Sequence, residues 1–180
     1  MRAIRKRRRL ALFFGIGALV ALVAAGAAYA LTANSFRYSS PKTGYVRVSH
    51  MAFAPDGPGF AYHNQWTGGL TSTGDGCLNA GVELPAGASR VKAVTFYFES
   101  GPASDFYGEL RRRQLATGGN QAFSANPSNN AGTLTSVTVA VPAVQQPVTA
   151  GRAYGLGVCP GSDGTFFGAR IKYTYTSAGS

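Results

Sequence analysis

The sequence predicts an all-β protein, a two-sheet antiparallel sandwich of about eight strands that follows an N-terminal hydrophobic helix. Glycine is frequent, at 24 of 180 residues, while charged residues make up only 13% and aromatic residues 12%. This composition is typical of short strands joined by glycine-rich turns, and it differs from that of helical proteins rich in Leu, Glu and Lys. The strong strand pattern of Val91–Phe98 and the regular spacing of other alternating segments favour the same fold class.

The segment Val91–Phe98 is expected to form a central strand. It contains β-branched and aromatic residues without Gly or Pro, and both of its alternating faces are largely apolar. Turn residues follow at 101–105, and Phe106–Leu115 then alternates again. We therefore expect these two strands to pair as a hairpin.

Six further segments have strand-like patterns between turn signals. They are Tyr45–Phe53, Phe60–Thr67, Cys77–Leu84, Leu134–Val141, Arg152–Cys159 and Thr165–Thr176. The segments 68–76 and 116–133 are rich in small and polar residues without periodicity, so both are predicted to be loops. The second exceeds the usual loop length, and such loops are generally functional or disordered.

The N-terminus predicts export. Six basic residues lie among the first nine, and Leu10–Leu31 then runs for 22 residues without a charge. Such a segment is long enough to cross a bilayer, and basic residues kept on the cytoplasmic side place the rest of the chain outside. We expect an extracytoplasmic protein, either secreted or anchored to the outer face of the cytoplasmic membrane.

Two interpretations of residues 1–33 remain open. A small-x-small motif ending at Ala30 predicts a cleaved signal peptide, whereas the length of the apolar run is typical of a retained membrane anchor. Either segment would be followed by a linker over 34–44, a β-sandwich domain over 45–176 and a short tail over 177–180.

The net charge of +10 belongs mainly to this N-terminal segment. Eleven of the 17 basic residues and all seven acidic residues lie after it, which leaves a charge of only +4. Nucleic-acid binding requires basic residues clustered on one folded face, and the triplet Arg111–Arg113 should alternate across a strand instead. We do not expect a nucleic-acid partner.

The two cysteines fit an oxidising compartment. Cys77 and Cys159 are an even pair, and exported domains commonly use such pairs as disulfides. We expect a bridge between them, with two buried free thiols as the alternative. There is no CxxC spacing, so a thiolate metal site is not expected.

Several motifs resemble a widespread group of exported bacterial proteins with a jelly-roll-like domain and no established activity. They are Val82-Glu-Leu-Pro-Ala-Gly-Ala88, the aromatic strand 91–98, Ser104-Asp105, Leu110-Arg-Arg112, Tyr154-x-Leu-x-Val158 and Gly168-Ala-Arg-Ile-Lys-Tyr173. The resemblance covers about Cys77 to Tyr175 and implies a jelly-roll-like sandwich. It implies no catalytic residues, and the two cysteines are not a general part of the pattern.

Catalytic signals are weak. His50, His63 and Asp56 lie on or between two candidate strands and would come together if the intervening turn allowed it, but neither HxH nor HExxH spacing supports a metal site. A glycosidase needs two carboxylates across a cleft, and nothing places a pair of the seven acidic residues opposite each other. No GxSxG motif marks a serine nucleophile. We expect a protein that is not an enzyme and uses no cofactor, with a secreted hydrolase as the least favoured alternative.

Binding is the function that the sequence supports best. Tyr62, Trp66 and Tyr107 would stack on sugar rings if exposed, and Arg111 would add a polar contact. The alternatives are that Trp66 fills the core and that the arginines form a solvated face. We therefore expect a cell-envelope or surface module that binds a polysaccharide or cell-wall polymer through these four residues; the rival is a structural protein that self-associates through sheet edges.

Overall fold

The structure is a computed structural model, and it describes residues 36–58, 61–72, 76–101, 106–127 and 133–178. Residues Tyr38–Ser177 form one compact unit, the second of the two into which contacts divide the chain. The β-sandwich belongs to the second unit. The predicted segments 1–33 and Leu10–Leu31 lie outside the described residues, within which no helix is long and apolar enough to cross a membrane.

Eleven strands of the described residues form two antiparallel sheets. Sheet I has the order β3-β4-β11-β6-β9, with β1 also paired to β11, and sheet II has the order β2-β5-β10-β7-β8. The strands are β1 Phe36–Ser49, β2 Ala54–Pro55, β3 Tyr62–Gln65, β4 Gly69–Ser72, β5 Leu78–Val82, β6 Ala88–Glu99, β7 Tyr107–Gln114, β8 Asn120–Ala125, β9 Thr135–Ala140, β10 Arg152–Cys159 and β11 Thr165–Ala178. The predicted all-β sandwich of two antiparallel sheets is confirmed.

The predicted central strand, now β6, lies between β11 and β9 in sheet I. Its inner face contributes Val94, Phe96 and Phe98, each fully buried. The register against β11 shifts near Lys92, and this irregularity lets Val91 also turn inward, where it is 1% exposed.

The predicted hairpin of β6 and β7 is wrong, because the two strands lie in different sheets. The chain crosses between the sheets after β6, and the rings of Phe98 and Phe106 then stack across the core with centroids 4.0 Å apart. Each of the two strands has an apolar inner face. Both faces are buried because β6 and β7 face each other across the sandwich. β6 and β7 are therefore neighbours in sequence that contact each other through core side chains and not through backbone hydrogen bonds.

Three predicted boundaries also change. β1 begins at Phe36, so residues 36–44 of the expected linker belong to a strand, and the ring of Tyr38 packs edge-on against Tyr175 of β11 at 5.6 Å. β4 lies inside the predicted loop 68–76, and β8 lies inside the predicted loop 116–133. All three segments lack apolar alternation and are held by backbone pairing to a neighbouring strand, which a period-based search misses.

The expected disulfide is confirmed. Cys77 and Cys159 are bridged, with their Cα atoms 4.2 Å apart and a sequence separation of 82. Cys159 ends β10 and Cys77 directly precedes β5, so the bridge joins neighbouring strands of sheet II.

Candidate functional site

The outer face of sheet II consists of three rows of residues that run across neighbouring strands. The strand registers align Gly81, Gly155 and Arg111 in one row. They align Asn79, Gly157 and Glu109 in the next row, and Ala153, Arg113 and Asn120 in a third. Polar side chains from β5, β7 and β8 therefore flank a central strip of glycine and alanine on β10.

This arrangement leaves a depression of about 580 Å³, which we call the glycine trough. Its outward-facing lining residues are Asn79, Gly81, Arg111, Arg113, Asn120, Ala153 and Gly155. A Cβ atom added at Gly81 would meet no atom within 4 Å. Packing within the protein therefore does not require glycine at this position, although glycine weakens a strand and often marks a close approach by a ligand.

Beside the trough, Glu109 holds Arg111 in place. The Glu109 side chain is 5% exposed, forms an ion pair with Arg111 and accepts a hydrogen bond from the Tyr107 hydroxyl at 3.1 Å. A Cβ atom at Gly157 would lie 2.8 Å from Glu109 Oε1, so the glycine gives the carboxylate room to lie across β10. Tyr107 and Glu109 thus orient Arg111, whose side chain stays 41% exposed at the trough.

The arginine triplet alternates across β7 as predicted. Arg112 points inward and is 5% exposed, whereas Arg113 on the outer face is exposed. The Arg112 guanidinium donates to the carbonyl oxygen of Gln145 and, through Nε at 3.1 Å, to Gln121 Oε1. It therefore connects β8 and the segment after β9 to the core.

The four predicted ligand-binding residues do not form one site. Tyr107 and Arg111 lie on β7 of sheet II, whereas Tyr62 lies on β3 of sheet I and Trp66 in the turn that follows it. Trp66 is 82% exposed, so the alternative that it fills the core is wrong. Of the four, Arg111 alone lines the glycine trough.

The histidines have separate environments. His50 places Nδ1 3.2 Å from the Phe167 carbonyl oxygen and Nε2 3.0 Å from the Gln65 carbonyl oxygen, so it links the segment after β1 to β11 and to the end of β3. His63 and Asp56 are exposed. Within the described ranges, no three His, Cys, Asp or Glu side chains are grouped so that they could hold a metal ion.

The glycines and asparagines of the trough were missed by the sequence analysis. The signal was present in β10, where Gly155 and Gly157 alternate with the buried residues Tyr154, Leu156 and Val158. A strand with a large apolar face and a face of glycines has an unusually bare outer surface.

Solved structures similar to this chain include a CBM36-1 domain of a multidomain xylanase from the hindgut metagenome of Trinervitermes trinervoides. That match has 11% sequence identity, covers 71% of this chain and 96% of that chain, and has a TM-score of 0.44. The C-terminal CBM6 of a marine laminarinase from Zobellia galactanivorans matches at 17% identity, with 71% and 98% covered and a TM-score of 0.41. A chain of infectious bursal disease virus, Gx strain, matches at 10% identity, with 77% and 33% covered and a TM-score of 0.42.

These likenesses at low identity and low TM-score carry no inference about ligands. No family model matches the sequence, and no curated protein matches it. The resemblance to exported bacterial jelly-roll proteins therefore stays a prediction.

Proposed function

We propose that this protein is an exported, non-catalytic cell-envelope or surface module that binds a polysaccharide in the glycine trough. The observation that carries the proposal is the open space above Gly81 in the middle of a strand, between side chains that can donate hydrogen bonds. Backbone without side chains allows a flat sugar ring to approach the sheet closely, and neighbouring donors would then fix its hydroxyl groups.

The polar groups around the trough suit an uncharged, hydroxyl-rich ligand. Asn79 and Asn120 have amide groups that both donate and accept hydrogen bonds, as sugar hydroxyls do. The charge of Arg111 is offset by Glu109, which leaves Arg113 as the one unneutralised cation among the described lining residues. We therefore favour a neutral polysaccharide over an acidic wall polymer at this site.

Two features support the proposed location. The basic N-terminus and the apolar run Leu10–Leu31 predict export, and the Cys77–Cys159 disulfide is of the kind that persists outside the cytoplasm. Both the N-terminal segment and the disulfide are consistent with a surface module that encounters environmental or envelope glycans.

The carboxylate beside the trough supports binding rather than hydrolysis. Glycoside hydrolysis uses two carboxylates on either side of the scissile bond. Glu109 is buried and is already engaged by Arg111 and Tyr107, and the described residues that line the trough include no acidic side chain. A hydrolase therefore has little support at this face.

Self-association is the second candidate function, and the β8 edge of sheet II favours it. β8 runs from Asn120 to Ala125 without a charged residue, and charged residues are a common protection of sheet edges against pairing. Sedimentation equilibrium distinguishes the two functions: a mass that rises with protein concentration supports self-association, whereas a constant monomer mass opposes it.

The test of the trough uses full-length protein in a non-ionic detergent and a panel of neutral polysaccharides, including xylan, mannan and β-glucan, with binding measured by affinity electrophoresis and calorimetry. Gly81→Thr fills the trough, so we expect affinity for the bound polysaccharide to fall at least about 30-fold, or ~2 kcal/mol. Gly57→Thr is the matched control, because Gly57 also has open space around it but lies in the turn before β3.

Thermal unfolding of both variants should remain close to that of the parent protein, since a Cβ atom at either position meets no atom within 4 Å. Unchanged polysaccharide affinity in a folded Gly81→Thr variant would overturn the proposal, and so would the absence of binding across the panel.

A further inference from the structure

The outer face of sheet I has a different chemistry from the glycine trough. A groove of about 480 Å³ lies between β1, β6 and β11, and its outward-facing residues are Arg47, His50, Tyr97, Phe167 and Arg170. We call it the Arg170 groove. We propose that it is a second binding site, specific for an acidic polysaccharide, and that it acts independently of the trough.

Arg170 is held in place by two aromatic rings. Its guanidinium carbon lies 5.0 Å from the ring centroid of Tyr45 and 5.9 Å from that of Tyr97. Cation–π contacts of this kind restrict a long side chain that would otherwise be mobile. A guanidinium that is already oriented loses less conformational entropy when it binds a carboxylate or sulfate.

The charged residues of β1 and β11 are all basic, whereas Glu99 of β6 shares the outer face of sheet I but does not line the groove. Arg47, Arg170 and Lys172 are exposed on β1 and β11, and the register keeps Arg170 and Lys172 on the same face. The ion pair of Arg111 and Glu109 lies on sheet II, away from this face. The described residues that line the Arg170 groove include no acidic side chain, so none of them cancels its positive potential.

The aromatic groups favour a polysaccharide over a nucleic acid. Single-stranded nucleic acids stack successive bases on several open aromatic faces. Arg170 occupies the space over Tyr45 and Tyr97, which leaves Phe167 as the one partly exposed ring among the described residues that line the groove. Next to the groove, Thr95 and Thr138 share a hydrogen bond at 2.8 Å and present hydroxyl groups on β6 and β9. A row of hydroxyls beside oriented cations matches a polymer that carries both hydroxyl and carboxylate groups.

The backbone conformation at Gly168 leaves space for the groove. Gly168 has a φ of +142°, a conformation that side chains rarely adopt, and a Cβ atom there would lie 2.9 Å from the Val48 carbonyl oxygen. The register between β11 and β6 shifts at this point and turns Phe167 outward, where it is 36% exposed. The groove thus has an exposed ring beside its arginines, suited to the apolar face of a sugar.

The test compares polygalacturonate, neutral dextran and single-stranded oligo(dT) as ligands of the full-length protein in a non-ionic detergent. We expect polygalacturonate to bind with an affinity that falls as salt rises, and dextran not to compete for it. Replacing Arg47 and Arg170 together by Gln should lower polygalacturonate affinity at least about tenfold, since two charge-assisted contacts are lost. Arg170→Lys should lose part of the affinity, because Lys keeps the charge but not the planar fork.

The matched control replaces Lys42 and Arg90 by Gln, which removes the same charge from exposed positions of sheet I outside the groove. This variant should bind polygalacturonate as the parent does, and so should Gly81→Thr. Equal losses in the control and groove variants would overturn the proposal, as would loss of binding in Gly81→Thr. Tighter binding of oligo(dT) than of polygalacturonate would indicate a nucleic-acid surface and would also overturn it.

Discussion

The outer faces of the two sheets use different means to bind a ligand. On sheet II, removal of side chains at Gly81 and Gly155 creates the trough, and the Arg111 charge is balanced by Glu109. On sheet I, Tyr97 and Phe167 place large side chains in the groove, and Arg170 lies near two tyrosine rings with no carboxylate among the described residues that line the groove. One face therefore selects by shape and hydrogen bonding, and the other by charge.

The difference matters because both faces share one core. Phe96 and Phe98 of sheet I meet Phe106, which directly precedes β7 of sheet II, in a continuous aromatic cluster. A substitution in this cluster would disturb both faces, so it would not separate them. The binding properties of the two faces can be tested separately only by substitutions that act on one outer face.

The largest expected effect comes from the disulfide, which lies in sheet II alone. Replacing Cys77 and Cys159 together by Ala should lower the free energy of unfolding by about 2–4 kcal/mol, since the bridge closes a long loop of the unfolded chain. Urea unfolding followed by circular dichroism measures this loss. In the folded variant we expect trough affinity to weaken while the Arg170 groove binds normally.

The reduced parent protein is the control for this variant, and it should unfold at the same urea concentration. An equal weakening of both binding sites would show that the bridge supports the whole sandwich rather than sheet II.

The next effect separates charge from shape at the trough. Glu109→Gln keeps the size of the side chain but leaves Arg111 without its ion pair, so we expect about 1–2 kcal/mol of lost stability, discounted because Arg111 is partly exposed. Affinity of the trough for a neutral polysaccharide should fall about 3- to 10-fold, as Arg111 loses its orientation. Polygalacturonate binding should not change, and calorimetry measures both ligands.

Glu83→Gln is the matched control, because Glu83 is exposed just beyond the end of β5. If Glu109→Gln left the trough affinity at the parent value, Tyr107 and Glu109 would have no role in positioning Arg111.

The smallest effect tests the aromatic support of Arg170. Tyr45→Leu removes one of its two rings, and we expect polygalacturonate affinity to fall about 2- to 5-fold, or ~0.5–1 kcal/mol. Stability should change little, since Tyr45 is half exposed. Tyr38→Leu serves as the control because its ring lies under Lys42 outside the groove. A fall of the same size in both variants would contradict the proposed role of Tyr45.

The fold could be predicted from the sequence where one strand carries its own apolar pattern. β6, β10 and β11 have enough large residues on one face to be recognised individually. β4 and β8 could not, because a strand such as Asn120–Ala125 is defined by its backbone partner on β7 rather than by its side chains. Likewise, the packing of the whole sandwich, and not the pattern of either strand, determines whether β6 pairs with β7 or faces it across the core.

The site was harder to predict for the same reason. Arg111 was identified, but the sequence pattern did not indicate that Glu109 is its buried ion-pair partner. Gly81 and Gly155 are far apart in sequence and form a trough only because β5 and β10 pair in that register. Arg47 and Arg170 similarly come together only in the folded sheet, whereas Arg111–Arg113 is the basic cluster that the sequence after the N-terminal segment shows directly.

The back-to-back packing of the two sheets has a consequence for materials that contain this protein. A sandwich core is about 10 Å thick, so polymers held on the two outer faces would run at a nearly fixed spacing of roughly 20 Å. With both proposed sites occupied, each protein molecule would form a non-covalent cross-link between a neutral and an acidic polysaccharide. A mixed gel of the two polymers would then stiffen with added protein, and salt would soften it by releasing the acidic chain first.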